Sequence, residues 1–207
     1  MIHAELIPSL EKSNRLLIML HGLGDSIEGY RWLPPALNLR WLNYLLVNAP
    51  DEYYGGYSWY DFIGDIAPGV GRSKKLLFDL LNAQKAEGFP PEQIILGGFS
   101  QGCLMSLEVG LRYPHRLAGI IGISGYVCNP EALVKELSPV ALQQRLLITH
   151  GELDPLIPFA MVREQVNMLK AAGLNVEWHE FVKAHTIAGE PELEVVRNFI
   201  QSCYERR

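Results

Sequence analysis

The amino-acid sequence predicts an α/β architecture, with a mostly parallel central sheet, helices on both faces and no inserted lid domain. Three observations carry this expectation. Short apolar runs of strand length alternate with stretches of helical period. Several runs are apolar almost throughout, as strands covered on both faces must be. No linker, repeat or low-complexity tract interrupts the alternation, so 1–207 reads as one domain.

Taken in chain order, Ile2–Ile7 is a candidate edge strand running in another direction. Arg15–Leu20 is the first buried strand. Its apolar stretch is too short to cross a bilayer, and no small-residue cleavage site follows it. Further strands are expected over Tyr44–Asn48, Gln93–Gly97, Gly119–Ile123, Arg145–Thr149 and Val176–Phe181. Between them, Ser73–Glu87 puts Leu76, Leu77, Leu80 and Leu81 on one helical face. Gln101–Tyr113 carries Leu104, Leu107, Val109 and Leu111 and stops before Pro114. Phe159–Ala172 carries Val162, Val166 and Leu169, with Gly173 as a C-cap. Glu192–Tyr204 carries Val196, Phe199, Ile200 and Cys203. The segment Phe62–Arg72, with Gly64, Pro68, Gly69 and Gly71, reads as a short loop.

Composition narrows the function classes. Lys and Arg are dispersed and the net charge is −5, so nothing points to nucleic acid. The three cysteines, Cys103, Cys128 and Cys203, are too few and too scattered for a disulfide framework or a zinc site. Reduced cysteines and no span or leader give a cytoplasmic expectation, with no stable membrane insertion; the features are compatible with a homodimer.

The chemistry starts at Ile94-Ile95-Leu96-Gly97-Gly98-Phe99-Ser100-Gln101-Gly102, which reads as strand, G-x-S-x-G, then helix. A serine on so sharp a turn needs Gly98 and Gly102, because neighbouring Cβ atoms would collide. The helix N-terminus then sets backbone N–H groups beside the serine oxygen. The competing reading is a tight turn in which Ser100 merely caps the helix. A nucleophilic serine needs a base. Of the histidines after Ser100, His115 belongs to a surface turn, His150 precedes the acidic candidates and His179 lies inside a strand. His185 sits in a loop after the last strand, where a base belongs. The orienting acid should lie after the strand before it. Asp154 is favoured there, since Pro155 holds it extended, and Glu152 is its competitor. In Leu20-His21-Gly22-Leu23-Gly24-Asp25 a glycine-flanked turn can aim the Leu23 N–H at a substrate oxygen, with the Gln101 N–H as second donor. The turn lacks the third glycine of a dinucleotide site, and no ligand cluster with metal spacing occurs. His21 reads as structural.

These segments, with Ser58-Trp59-Tyr60-Asp61 and His150 through Pro158, resemble the phospholipase/carboxylesterase family of small α/β-hydrolases, which includes the acyl-protein thioesterases. The resemblance implies an α/β-hydrolase fold and a triad of Ser100, Asp154 and His185. It also implies Leu23 and Gln101 as oxyanion donors, Trp59 near the acyl pocket, and no cofactor or metal. Two positions depart from the family pattern: Cys103 and Ala184 stand where glycine is usual. The aromatic crowd Tyr53, Tyr54, Tyr57, Trp59, Tyr60 and Phe62 reads equally as an acyl-binding wall or a packed loop, and Leu156 as a groove residue or a core residue. The expected activity is that of a serine carboxylesterase on small to medium acyl esters, its partner a small-molecule or lipid-like acyl substrate. The alternatives are an acyl-protein thioesterase or lysophospholipase on longer chains, and a non-catalytic binding protein on the same fold.

Overall fold

The computed structural model describes residues 2–205. Its main sheet has seven strands: β1 (Ala4–Ile7), β2 (Leu16–Leu20), β3 (Asn43–Val47), β6 (Ile94–Phe99), β7 (Gly119–Ile123), β8 (Arg145–Gly151) and β9 (Asn175–Phe181). They lie in the order β1-β3-β2-β6-β7-β8-β9. All pairings are parallel except β1 with β3, so the edge strand does run against the rest. A two-stranded hairpin, β4 (Asp51–Tyr53) and β5 (Gly56–Ser58), stands apart from the sheet.

Helices cover both faces, and the core is accordingly split in two. On one face Leu77 and Leu81 of α2 (Ala67–Ala86), all of α3 (Gln101–Gly110), Leu133 of α4 (Pro130–Lys135), and Val166 and Leu169 of α5 (Phe159–Ala171) are buried against the sheet. On the other face α1 (Leu33–Leu37) and α6 (Glu190–Tyr204) bring Leu33, Leu37, Val196, Phe199 and Ile200. Every residue of β2, β3 and β7 is buried, which is why those runs carry no polar alternation.

Two expectations are corrected. The stretch 67–72 is not loop: α2 begins at Ala67 with Pro68 in its first turn, where a missing N–H costs nothing. Gly69 is tolerated inside this helix because a Cβ there would come within 2.8 Å of Tyr60 Cβ. The aromatic crowd is not one loop either, since Asp51–Ser58 forms the hairpin around Tyr54-Gly55, both at positive φ. No helix among the described residues is long and apolar enough to cross a membrane.

Candidate active site

The loops that leave the C-terminal ends of β2, β6, β8 and β9 converge on Ser100. Ser100 follows β6 directly and holds φ 55° and ψ −115°, a conformation that costs a residue with a Cβ about 1–3 kcal/mol. Packing on every side enforces it. A Cβ at Gly98 would lie 2.1 Å from the Gly102 carbonyl oxygen, and one at Gly102 would lie 2.2 Å from that of Leu20. The turn is therefore clamped between its own helix and β2, and Oγ is held at the mouth of the sheet.

His185 Nε2 lies 2.9 Å from Ser100 Oγ, and His185 Nδ1 lies 2.7 Å from Asp154 Oδ2. Asp154 Oδ1 accepts the N–H groups of Leu156 (2.9 Å) and Ile157 (3.0 Å). Its carboxyl is fully shielded from solvent. That burial is the largest single influence on it and favours the acid form, but the hydrogen bonds from Ile157, His185 and Leu156 together outweigh it. The carboxyl is held below its usual range, as the anion. The turn around it is closed by His150, whose Nε2 lies 3.0 Å from the Ile157 carbonyl and 3.7 Å from Asp154 Oδ2. Burial lowers the His150 pKa, so this imidazole is neutral and donates from Nε2 to the carbonyl.

The loop carrying His185 is tied down at both ends by one carboxylate. Glu192, in the first turn of α6, accepts from Lys183 Nζ (2.5 Å) and from the Ala188 N–H (2.6 Å). Both side chains of this ion pair are buried. The Lys183 carbonyl also accepts the Leu153 N–H (3.1 Å), which joins the His185 loop to the Asp154 loop.

Across Ser100 stands the loop after β2. Among the described residues the Leu23 N–H has no protein acceptor, and the Gln101 N–H belongs to the first residue of α3, where helices leave donors free. The hairpin β4–β5 holds this loop through Gly24 N–H to the Tyr57 carbonyl and Tyr57 N–H to the Asp25 carbonyl, both 2.9 Å. His21 Nδ1 donates to the Gly22 carbonyl (2.6 Å) and Nε2 accepts the Ala49 N–H (3.0 Å). Burial lowers the pKa of this ring, which fits a neutral brace. A hydroxyl–imidazole–carboxylate relay with free N–H groups on the adjoining turns has the groups needed to attack an acyl carbon and stabilise the resulting oxyanion.

The profile of the phospholipase/carboxylesterase family matches residues 1–204. The chain belongs to this family of hydrolases. Acyl-protein thioesterase 1 of Schizosaccharomyces pombe is 37% identical over 155 residues, 69% of each chain. The protein of the same name from Yarrowia lipolytica is 29% identical over 217 residues, 94% of each chain. The crystal structure of the esterase PE8 superposes with a TM-score of 0.88 at 27% identity, covering 98% of this chain and 99% of that one. The carboxylesterase of Bacillus cereus has the same fold (TM-score 0.84, 20% identity, 99% and 95% coverage). This chain is thus an α/β-hydrolase by sequence and by fold.

The structure of this hydrolase joins Ser100, His185 and Asp154 by hydrogen bonds, with Gln101 next to Ser100 in the chain and Leu23 next to Gly22, where a Cβ would lie 3.3 Å from Ser100 Cβ, and it leaves the competing groups outside. Glu152 and His115 are exposed, and His179 Nε2 turns to Glu177 (2.8 Å). Trp59 is not on a substrate wall. It is 0% exposed, its Nε1 donates to the His21 carbonyl (2.9 Å), and its ring lies 5.6 Å from that of His21. An indole offers one donor and a large apolar body, and here both are satisfied behind the loop after β2. Leu156 is 70% exposed beside Asp154, so of its two readings the core one is excluded. The glycine departures are absorbed locally. Cys103 fits because Gly122 and Gly125 have no side chains: a Cβ at either would lie 2.7 Å from its Sγ or 2.3 Å from its Cβ. Burial pushes the Cys103 thiol up to about 12. Ala184 has no positive φ and its side chain is exposed, so nothing there requires glycine.

Sequence reasoning missed the Gln101 side chain. Its Oε1 accepts the Trp59 N–H and its Nε2 donates to the Tyr60 carbonyl, both 3.0 Å. It ties the residue that follows Ser100 to the Trp59–Tyr60 backbone. It missed the Lys183–Glu192 clamp as well. The acid-basic spacing around a loop was visible, but which charges turn inward was not.

Proposed function

We propose that this hydrolase cleaves carboxylic esters through an acyl-enzyme on Ser100, with His185 as base and then acid, Asp154 as its orienting anion, and the N–H groups of Leu23 and Gln101 as oxyanion donors. The continuous relay from Ser100 Oγ to His185 Nε2 (2.9 Å) and from His185 Nδ1 to Asp154 Oδ2 (2.7 Å) carries this reading. His185 takes the Oγ proton as Oγ bonds the acyl carbon. The carbonyl oxygen gains charge against the two N–H groups. His185 then gives that proton to the departing alcohol or thiol as the C–O or C–S bond breaks. Water, deprotonated by His185, releases the acid and restores Ser100.

Small to medium acyl chains are the proposed substrates. A second reading, thioester or lysophospholipid cleavage with longer chains, is favoured by the names of the yeast relatives and by the exposed apolar side chains Phe62, Ile63 and Leu156. A cytoplasmic location is proposed from the three free cysteines. Ser100, His185 and Asp154 all come from one chain, so the mechanism does not call for a dimer. The test is hydrolysis of p-nitrophenyl esters from acetate to palmitate by wild type and Ser100→Ala. Activity confined to wild type is expected, with the optimum chain length separating the two readings. Equal activity in both proteins would overturn the mechanism.

A further inference from the structure

His185 has a second face. A cavity of about 440 Å³ opens against it, walled by Asp25, Tyr30, Trp32, Phe99 and Ile187 among others. Phe99 bridges the two places, since its ring packs 5.0 Å from the imidazole and also lines the cavity. The imidazole hands its proton to the leaving group, so a cavity that shares this ring lies on the leaving-group side of the scissile bond. That placement rests on the proposed serine mechanism.

The walls have a definite chemistry. Three aromatic side chains, Tyr30, Trp32 and Phe99, surround one carboxylate and no Lys or Arg. Asp25 is held in place: its Oδ1 accepts the Ser26 N–H at 2.7 Å, and Gly29 packs so closely that a Cβ there would fall 2.0 Å from the same oxygen. Among the described residues Asp25 makes no ion pair. The cation nearest in sequence, Arg31, is committed to Glu5 (2.6 Å) and Glu28 (2.8 Å) outside the cavity. A half-buried carboxylate without a cation, beside aromatic faces, is the arrangement that attracts an ammonium group. An anionic leaving group would meet the same carboxylate as repulsion.

We propose that this cavity is the leaving-group subsite and that it selects alcohols or thiols bearing a quaternary or protonated amine a few bonds from the scissile oxygen or sulfur. The probe pair is butyrylthiocholine and its neutral carbon isostere, the 3,3-dimethylbutyl thioester of butyric acid. Both go through the same acyl-enzyme, and dividing each kcat/KM by that ester's rate constant for alkaline hydrolysis removes the difference in thiol acidity, so the normalised ratio reads the leaving-group subsite. Wild type is expected to favour the cationic ester about tenfold at low salt. That preference should shrink at 0.5 M NaCl, collapse toward unity in Asp25→Asn whatever the absolute rates, and fall several-fold in Trp32→Ala. A wild-type ratio within about twofold of unity, with Ser100-dependent hydrolysis of both esters intact, would overturn the subsite while leaving the mechanism standing. So would a preference that survives Asp25→Asn. Hydrolysis that persists in Ser100→Ala, or fails for both esters in wild type, would overturn the serine mechanism and the subsite with it.

Discussion

The turn that holds Ser100 and the rim around it are built of opposite material. At the turn, Gly98, Gly102, Gly122 and Gly125 leave no room for even one carbon. At the rim, Leu156, whose N–H bonds Asp154, is 70% exposed. The difference separates two tasks. Chemistry depends on angles and distances held to a fraction of an ångström, and close packing supplies that. Choice of acyl chain depends on exposed surface, where a side chain can change without disturbing the fold.

The largest effect should come from the centre of the packed region. Ser100→Ala is expected to lower kcat by about 10⁴-fold or more, with an unchanged melting curve. A loss of less than tenfold would mean that the packed turn is not the reacting centre. Next comes the clamp beneath the His185 loop. Lys183→Met strands the Glu192 carboxylate in the interior and is expected to cost about 3–5 kcal/mol by urea denaturation. Lys183→Met combined with Glu192→Gln should recover most of that, because no charge is then left unpaired. A double variant as unstable as the single would show that the pairing is not what matters.

Two glycines sharpen the contrast further. Gly102→Ala drives a Cβ into the Leu20 carbonyl and should destabilise by about 1–3 kcal/mol or more. Gly71→Ala, in α2 with open space around it, should be neutral or stabilising by up to about 1 kcal/mol. Equal effects at the two positions would contradict the packing described.

The acid response should also originate in the packed region. Burial is the main influence on His21 and His150, and it lowers both pKa values. Unfolded histidines take up protons near pH 6.5 while these two resist. Below that pH the unfolded chain therefore binds more protons, and stability falls as the pH drops. The fall should reach up to about 1.4 kcal/mol per pH unit for each histidine. Denaturation midpoints between pH 7.5 and 5 would show it, and a flat profile would mean that the folded rings titrate freely. The smallest effect belongs to the rim. Leu156→Ser should leave stability within about 0.5 kcal/mol and reduce kcat/KM a few-fold on octanoate relative to acetate. An equal reduction on both esters would make Leu156 part of the catalytic support and not of the acyl surface.

Much of this was legible before any coordinates. The buried strands announced themselves by unbroken apolar runs such as Leu16–Leu20 and Gly119–Ile123, and both ends of the second run were placed without error. Ser100, Asp154 and His185 could be ranked because each follows a strand, and strand ends are where loops converge. The hairpin Asp51–Ser58 escaped because strands of three residues are too short to show alternation. The start of α2 escaped because Pro68, Gly69 and Gly71 read as a loop, whereas a close approach to Tyr60 makes Gly69 suitable there.

The sequence by itself therefore determined the order of the long strands and helices, the sharp turn at Ser100 and the loops that carry His185 and Asp154. These follow from periodicity and from backbone rules that act over a few residues. Only the tertiary structure decided that Trp59 turns inward while Leu156 turns outward, and that Lys183 reaches Glu192. It alone set Asp25 on the far side of His185 among aromatic rings. Side chains of one type can face core, cleft or solvent, and that choice is made by neighbours far along the chain, as when Arg197 bonds the Leu37 carbonyl 160 positions away.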